Sequence, residues 1–429
     1  MAYTDFIAAI DLGTSHMVGM VGTKNATGAL SIIAYEVENS GTCIRRGCVY
    51  NVKETASKIR RLILKLENKL GGAKIGQVYV GLGGQSLRSI EHTVCKVLGT
   101  EGVVTEEIID SLYQECKDYR PDMLTVLDVV SPSYFLDDKP ESNPVGVPCS
   151  RIEARYKLIV GRPSLKLNII NSISEQAKIE IAGILVSPLA LGDVVLSDNE
   201  KDLGCALIGF GAGVTTITVY KGGKLASLSV VPFGGNLITK DITNLRVVES
   251  EAERLKITYG SAKADRDNDM TIQVSLADGM GLREIKLAEL NGVIEARMDE
   301  ILENVYARLE ATGLMSVLGA GIVITGGGAA LKNLPAVMSE RLKMEVRYSA
   351  VRKGIVASGD LVVASNPEYA VAVGLLAKGT KNCALYIPPK PEPKIEPVVE
   401  PEPTVEPTPE PVKEKPKKEK KKGPGLFGR

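Results

Sequence analysis

The sequence predicts an α/β protein of two similar lobes, each built from a duplicated βββαβα unit. An α+β insertion interrupts the first lobe, and a disordered, proline-rich tail follows the second. Three observations carry this prediction. A strand–glycine turn–strand segment near residue 10 recurs near residue 210, and a third strand, at 321–325, runs into three glycines. A chain of 429 residues is also long enough for two domains or more.

The stretch 203–236 contains the second of the two similar segments. It reads as an apolar strand at 206–208, a turn through Gly211, Ala212 and Gly213, and further strands at 215–220 and 225–232. Glycines at i and i+2 allow the backbone to bend with positive φ. They also let the amide groups face inward as an anion-binding nest. Taken alone, such a hairpin is more often an ordinary turn than a phosphate site.

The start of the chain repeats this pattern. Strands at 6–11, 16–23 and 30–35 surround a tight turn, and the alignment places Asp11 on Gly209, Gly13 on Gly211 and Ser15 on Gly213. Chance similarity between two meanders is the alternative interpretation. The strand that ends at Gly326, Gly327 and Gly328, followed by a helix, counts against it.

Composition excludes several classes of protein. There are 52 basic and 52 acidic residues, no Trp and five Phe, so nucleic-acid binding is a poor interpretation. The seven cysteines form no CxxC, and His16 and His92 have no ligand-like spacing, which favours reduced thiols in a cytosolic protein over a zinc site. No signal peptide and no apolar run of membrane-spanning length, about 18 residues, is visible.

Helical periodicity and turn residues predict the remaining organisation. We expect helices at 54–70, 165–178 and 289–309, a helix that Ser187 caps, and a strand at 77–82. In the insertion, a short helix follows Thr105, and strands at 124–130 and 152–160 flank a loop at 132–148. The predicted domains are 1–82 with 162–197 and 361–385 (first lobe), 83–161 (insertion), 198–240 with 307–360 (core of the second lobe), 241–306 (small subdomain), 386–416 (Pro/Glu-rich linker) and 417–429 (basic tail).

These motifs together suggest a nucleotide held between two similar domains. The hairpins would clamp the phosphates through backbone N–H groups, and the three glycines would let adenosine lie against bare backbone beside a helix N-terminus. Glu253 and Lys256 are i, i+3 neighbours that would flank the base or ribose; a surface ion pair is the equally weighted alternative.

The motif order resembles the actin, Hsp70 and sugar-kinase superfamily, and within it the bacterial cell division family FtsA. The segments that resemble FtsA motifs are IDLGTS at 10–15, VPFGGN at 231–236 with Thr239 and Asp241, AERLKI at 252–257 with Tyr259 and Gly260, ITGGG at 324–328, and NPVG at 143–146. The insertion also stands where FtsA carries its own subdomain. The resemblance covers about residues 5–380 and implies a two-lobed actin-like ATPase fold.

For the site, the resemblance implies ATP with Mg²⁺, and Asp11 as the metal contact. The residues it assigns to the cofactor are Asp11, Gly13, Thr14, Ser15, His16, Gly211, Ala212, Gly213, Gly235, Asn236, Glu253, Lys256, Gly326, Gly327 and Gly328.

Three positions depart from the family pattern. His16 replaces a usual Lys, and Gly209 and Thr216 replace expected Asp residues. Since phosphoryl transfer needs a group that orients the nucleophile and a metal that spreads charge, we expect ATP binding with little or no hydrolysis and no enzymatic role.

The resemblance also implies partners and a location. The small subdomain at 241–306 would bind the C-terminal peptide of the tubulin-like protein FtsZ, and the chain would self-associate into filaments. The tail would reach an anionic membrane, which places the protein on the inner face of the cytoplasmic membrane at the division site. The tail has lysines at 417, 418 and 420–422 and a Leu426–Phe427 tip, but no amphipathic helix. We therefore expect a truncated sequence or reliance on filament multivalency.

Two other functions remain open. A pilus-assembly-type actin-like ATP-binding protein is the closer rival. A small-molecule kinase of the superfamily is disfavoured because residues 205–220 contain no Asp, Glu or His to serve as base.

Overall fold

The computed structural model describes residues 5–99, 102–275, 281–358 and 366–385. The predicted linker 386–416 and basic tail 417–429 lie outside the described residues, as do residues 359–365, which include the start of the last predicted segment of the first lobe. Within the described ranges no helix is long and apolar enough to cross a bilayer.

The first lobe is organised around a six-stranded sheet in the order β11-β6-β1-β2-β3-β19. β1, β2 and β3 form the antiparallel meander, and β6 and β11 add to β1 in parallel, which requires helical crossovers. The strands of this sheet are β1 Ile7–Leu12, β2 His16–Lys24, β3 Leu30–Asn39, β6 Gln77–Leu82, β11 Glu180–Val186 and β19 Val356–Ser358.

The second lobe repeats the same connectivity in a five-stranded sheet, β14-β13-β12-β17-β18. Again three antiparallel strands come first and two parallel strands follow on the other side. The duplicated, two-lobed α/β fold is therefore confirmed. Its strands are β12 Cys205–Phe210, β13 Thr215–Lys221, β14 Lys224–Val231, β17 Ile322–Thr325 and β18 Val346–Tyr348.

The insertion is a separate antiparallel sheet, β7-β10-β8-β9, covered by one helix. The predicted loop at 132–148 is wrong in its first part. Strand β8 continues to Leu136 and returns as β9, because both pair in register with their neighbours. The sequence does not predict β7, because most of its side chains are polar and exposed. These elements are β7 Arg88–Val97, α2 Glu106–Asp118, β8 Thr125–Leu136, β9 Lys139–Glu141 and β10 Arg151–Gly161.

Helices pack between and around the sheets. α4 and α10 lie at the centre, and Gly374 of α10 approaches the Ala190 carbonyl of α4 so closely that a Cβ there would lie 2.3 Å from it. The predicted helix at 165–178 ends as a π-helical turn, and Val186 rather than Ser187 caps α4. The helices are α1 Val52–Lys69, α3 Ser164–Ile170, α4 Ser187–Val195, α5 Asp198–Leu203, α6 Gly235–Ile242, α7 Glu249–Tyr259, α8 Leu287–Glu310, α9 Leu334–Leu342 and α10 Ala370–Lys378.

Two short hairpins complete the fold. β4 (Ile44–Arg45) and β5 (Cys48–Val49) extend from the first lobe toward the second. β15 (Thr271–Ser275) and β16 (Leu282–Lys286) pair beside α8. The boundaries of the four subdomains stay a prediction.

Candidate functional site

The two glycine turns, one from each sheet, touch each other. A Cβ on Gly213 would lie 2.6 Å from Thr14 Oγ1, so no side chain fits between them. Thr14 Oγ1 in turn accepts a hydrogen bond from the Gly47 amide at 2.9 Å. The fold thus brings together two turns that are 199 positions apart by their residue numbers (213 − 14).

The expectation that the hairpin glycines adopt positive φ is wrong. Gly13, Gly211 and Gly213 all have negative φ. Glycine is needed because the turns are tight: a Cβ at Gly13 would lie 2.4 Å from His16 O, and one at Gly211 would lie 2.9 Å from Val214 O. The constraint is steric exclusion of a side chain rather than a left-handed backbone.

Several backbone amides of the two glycine turns are available as hydrogen-bond donors. Gly211 N–H donates to Val214 O at 2.9 Å, which closes the second turn. In the described part of the chain, the amides of Thr14, Ala212 and Gly213 donate to no protein acceptor. Partly buried N–H groups of this kind need an acceptor, and a phosphate oxygen is a suitable one.

Gly235 and Asn236 lie beside the second turn, but their amides are already engaged. Gly235 N donates to Gly211 O at 3.0 Å and Asn236 N donates to Ala212 O at 2.8 Å. The first turn of α6 therefore supports the hairpin from behind. The assignment of these two residues to the cofactor stays a prediction, and it would rest on atoms other than these amides.

Glu253 and Lys256 belong to a hydrogen-bond network with α6 and do not form an isolated surface pair. Lys256 Nζ donates to Glu253 Oε2 at 2.7 Å, to Thr239 Oγ1 at 2.8 Å and to Gly235 O at 3.2 Å. Thr239 also bonds Glu253. The network links α7 to the first turns of α6, and through Gly235 to the second hairpin.

Two of the three glycines pack against Phe210, the last residue of β12 before the second glycine turn. Gly326 has φ +85°, and a Cβ there would lie 2.5 Å from Phe210 O; a Cβ on Gly328 would lie 2.9 Å from Phe210 Cβ. A 3₁₀ turn follows at Gly327–Ala330, and α9 begins only at Leu334, so the glycines do not form the N-terminus of an α-helix as expected. Thr325 Oγ1, just before them, is buried without a hydrogen-bond partner.

Asp11 is the acidic group at this edge of the first sheet. Burial raises the pKa of its carboxyl to about 6, and a hydrogen bond from the Leu12 backbone opposes this shift. Ser15 and His16 follow in the turn, with Ser15 Oγ 2.9 Å from His16 Nδ1. A bound cation would replace the missing solvation of the carboxylate.

The described residues contain no cluster of three or more His, Cys, Asp or Glu side chains arranged to hold a metal. Magnesium ions that accompany nucleotides commonly use one or two protein carboxylates, with phosphates and waters supplying the remaining ligands. A single carboxylate from Asp11 therefore fits such an ion only together with phosphate.

Gly209 and Thr216 face each other across β12 and β13. A Cβ on Gly209 would lie 2.6 Å from Thr216 Oγ1. The two departures from the family pattern are thus one structural unit, in which the threonine hydroxyl fills the space above the glycine.

Two residues at the site were missed by sequence reasoning. Arg46, at the tip of the β4–β5 hairpin, has its Cα 2.9 Å from where a Cβ of Gly213 would lie. Glu368 Oε1 comes within 3.0 Å of the equivalent position on Gly327. Neither stands in a glycine motif, so only the tertiary contacts identify them.

This architecture is that of the two-lobed actin-like proteins. It superposes on the PilM–PilN type IV pilus biogenesis complex with a TM-score of 0.61 at 16% identity, covering 86% of this chain and 97% of that one. It also superposes on a chain of the MamK double helical filament, with a TM-score of 0.50 at 12% identity and coverage of 86% and 97%. At such identities these similarities establish the fold alone.

Sequence comparison identifies the family. Residues 206–374 match the family model described as cell division protein FtsA. The chain is 39% identical over 382 residues to the FtsA of Porphyromonas gingivalis, covering 89% of this chain and 79% of that protein. It is 32% identical over 392 residues to the FtsA of Bacillus subtilis, covering 90% and 86%. The chain belongs to the FtsA family of cell division proteins.

The raised pKa of Asp11 predicts a pH-dependent stability. Without divalent cations, the folded protein binds this proton more tightly than the unfolded chain, whose Asp has its ordinary pKa of 3.8. The free energy of unfolding should therefore fall as pH rises from about 4 to about 6 and stay flat above it, by up to about 3 kcal/mol for the two-unit shift. Asp11→Asn should remove this slope and be more stable at pH 7.5, as measured by urea denaturation in EDTA.

Asp202→Asn, which changes an exposed carboxylate remote from both turns, serves as the control and should retain the wild-type slope. Parallel pH profiles for wild type and Asp11→Asn would contradict the prediction.

Proposed function

We propose that the chain is an ATP-binding, actin-like division protein that polymerises and links the FtsZ ring to the inner face of the cytoplasmic membrane. Membership of the FtsA family supports the division role. The contact between Gly213 and Thr14 carries the nucleotide part of the proposal, because it brings together two turns whose amides at Thr14, Ala212 and Gly213 donate to no acceptor among the described residues.

In this proposal each part of the site has a separate task. The free amides of Thr14, Ala212 and Gly213 hold phosphate oxygens, and the bare backbone of Gly326–Gly328 receives the nucleoside. Lys256 and Glu253 hold α6 against the second turn from behind. Asp11 contacts the Mg²⁺ that accompanies the phosphates, whose chemistry is to neutralise their charge.

Hydrolysis is slow in this proposal. A water that attacks a terminal phosphate must be oriented, and side-chain carboxylates commonly do so. Gly209, which pairs with Thr216, has no side chain to orient a water, and Thr216 Oγ1 occupies the space beside it. Asp11 is then the one carboxylate of the two hairpins (residues 7–24 and 205–221), and the metal contact already uses it.

The remaining partners follow from the family. The FtsZ C-terminal peptide binds the small subdomain at 241–306. Arg297 of α8 donates to Asp241, near the end of α6, through a hydrogen bond of 3.1 Å and a second, shorter one. The lysines of the tail at 417–429 add attraction to anionic lipids, each worth about 1 kcal/mol. Self-association multiplies such weak tail contacts.

The pilus-type function shares this fold, but identity to FtsA proteins across about nine-tenths of the chain favours the division role. A small-molecule kinase would need a base near the second hairpin, and residues 205–220 have none.

Nucleotide binding is tested at Gly327, which is exposed and has negative φ. A Cβ there meets only the flexible Glu368 side chain, so Gly327→Val should fold normally while its side chain obstructs the proposed adenosine surface. The Kd for ATP and ADP should rise by about tenfold or more, equivalent to about 1.4 kcal/mol. Isothermal titration calorimetry with Mg²⁺ measures it.

Gly319→Val is the matched control, since Gly319 is also exposed but lies beside Leu203, at the end of the second hairpin opposite its glycine turn. Equal affinities for Gly327→Val and wild type would place any nucleotide elsewhere. Failure of the wild-type chain to bind ATP or ADP at millimolar concentration would refute the nucleotide function.

Turnover provides a separate test. Phosphate release by the purified protein with ATP and Mg²⁺ should be well below about 1 s⁻¹, the low end of ordinary enzyme rates. A rate at or above this value would show that Gly209 and Thr216 do not prevent hydrolysis.

Recruitment of FtsZ to vesicles tests the linking role. Vesicles with anionic lipids should co-sediment FtsZ only when this chain is present. Removal of residues 413–429 should reduce pelleting at low salt, because it removes seven lysines (413, 415, 417, 418 and 420–422) and Arg429. FtsZ without its C-terminal peptide should stay in the supernatant. Equal pelleting of the full and shortened chains would remove the tail from the proposal.

A further inference from the structure

Arg46 lies beside the site in an unusual backbone conformation. It forms the tip of the β4–β5 hairpin together with Gly47, and both have positive φ, 50° and 71°. A left-handed conformation costs a non-glycine residue energy, and a side chain retained there often has a function. Glycine would form this turn without strain.

The backbone of this hairpin is attached to both glycine turns. Gly47 N–H donates to Thr14 Oγ1 at 2.9 Å, and Arg46 Cα lies against Gly213. The hairpin tip is therefore the third element at the point where the two lobes meet.

The guanidinium of Arg46 is at the ligand edge of the first sheet. Its Nη1 donates to Gln85 Oε1 at 3.3 Å, and Gln85 N donates to Arg46 O at 3.1 Å. Gln85 follows the carboxyl end of β6, which runs parallel to β1 and ends beside the first glycine turn. Ligands of open α/β sheets bind at such carboxyl ends.

The charge of Arg46 is not balanced locally. Its side chain is exposed, and within the described ranges it forms a long hydrogen bond to a neutral amide and no ion pair. Lys256, the other strong base at the site, is already paired with Glu253. Arg46 is thus a cation available to an anion that binds beside the two turns.

The geometry points to Arg46 as a specificity residue that contacts the terminal phosphate of a nucleoside triphosphate, and we propose this role. It rests on the proposed nucleotide function. Gly326 and Gly328 contact Phe210, the last residue of β12 before the second turn, whereas Arg46 contacts Gly213 within that turn. A nucleotide with its nucleoside end at Gly326–Gly328 therefore extends its phosphates toward Arg46.

Arg46 would then distinguish ATP from ADP. A guanidinium offers a planar pair of donors that matches phosphate oxygens. Because the contact involves the phosphate that ADP lacks, its loss should weaken ATP binding selectively.

The experiment compares Arg46→Gln with Arg45→Gln by isothermal titration calorimetry of the full chain with ATP and with ADP, both with Mg²⁺. Arg45 is the neighbouring exposed arginine, but its guanidinium stacks on Tyr50 at 3.9 Å. Arg46→Gln should raise the Kd for ATP by roughly 10- to 100-fold, the effect of one charge-assisted hydrogen bond, and leave the Kd for ADP unchanged. Arg45→Gln should change neither.

Arg46→Gly distinguishes loss of the guanidinium contact from loss of folding, because glycine adopts the positive φ of this position without strain. It should melt at the same or a higher temperature than wild type and lose ATP affinity as Arg46→Gln does. Arg46→Lys, which keeps the charge without the planar fork, should lie between wild type and Arg46→Gln.

Equal losses for ATP and ADP, equal losses for the two arginines, or unchanged ATP affinity in Arg46→Gln would each overturn the assignment while leaving the nucleotide function in place. A wild-type chain that binds neither nucleotide would overturn both.

Discussion

The structure depends on glycines at which another segment of the chain approaches too closely for any side chain to fit. At Gly213, Gly234 and Gly326 a Cβ would lie 2.5 to 2.6 Å from the nearest atom of another segment. These atoms are Thr14 Oγ1, Gly211 O of the second turn and Phe210 O. Distances this short exclude every other residue, since real Cβ atoms do not approach so closely. The second glycine turn is therefore held on three sides.

The same contacts make the site a junction of several elements. The second turn contacts the first lobe at its tip, the 3₁₀ turn at its base, and α6 on one side. A ligand that changes the position of this turn would act on all three. Because Lys256 and Thr239 connect α6 to α7, such a change also has a continuous path of hydrogen bonds into residues 241–306. Spatial continuity of this kind permits coupling and does not by itself demonstrate it.

The charges around the junction follow a consistent arrangement. The one carboxylate of the first turn is desolvated, with its pKa raised to about 6, so it gains from a cation. The basic groups divide into Lys256, which pairs with Glu253 behind the turn, and Arg46 in front of it, which forms no ion pair among the described residues. The site thus presents amide donors and an arginine to an anion, with a place for a counter-cation.

The insertion shows how an added domain is secured to such a scaffold. Ser89 of β7 bonds the edge strand β14, accepting from Leu228 N at 2.8 Å, and Lys224 Nζ donates to Pro132 O at 2.6 Å. Both bonds satisfy the polar backbone at a sheet edge or beside it, which would otherwise remain open to pairing with another chain.

The sequence by itself determined the duplicated meanders, the glycine motifs and the long helix α8, because these depend on local periodicity and on short, repeated patterns. Only the tertiary structure decided why the glycines are required, since negative φ and steric exclusion at Gly13, Gly211 and Gly213 arise from neighbours rather than from the residues themselves. It likewise decided that the amides of Gly235 and Asn236 face the hairpin and that Arg46 stands beside the site. Arg46 is 167 positions from Gly213 in the sequence (213 − 46), and its neighbours in the sequence carry no signal of that contact. The two residues meet because the sheets bring their segments together.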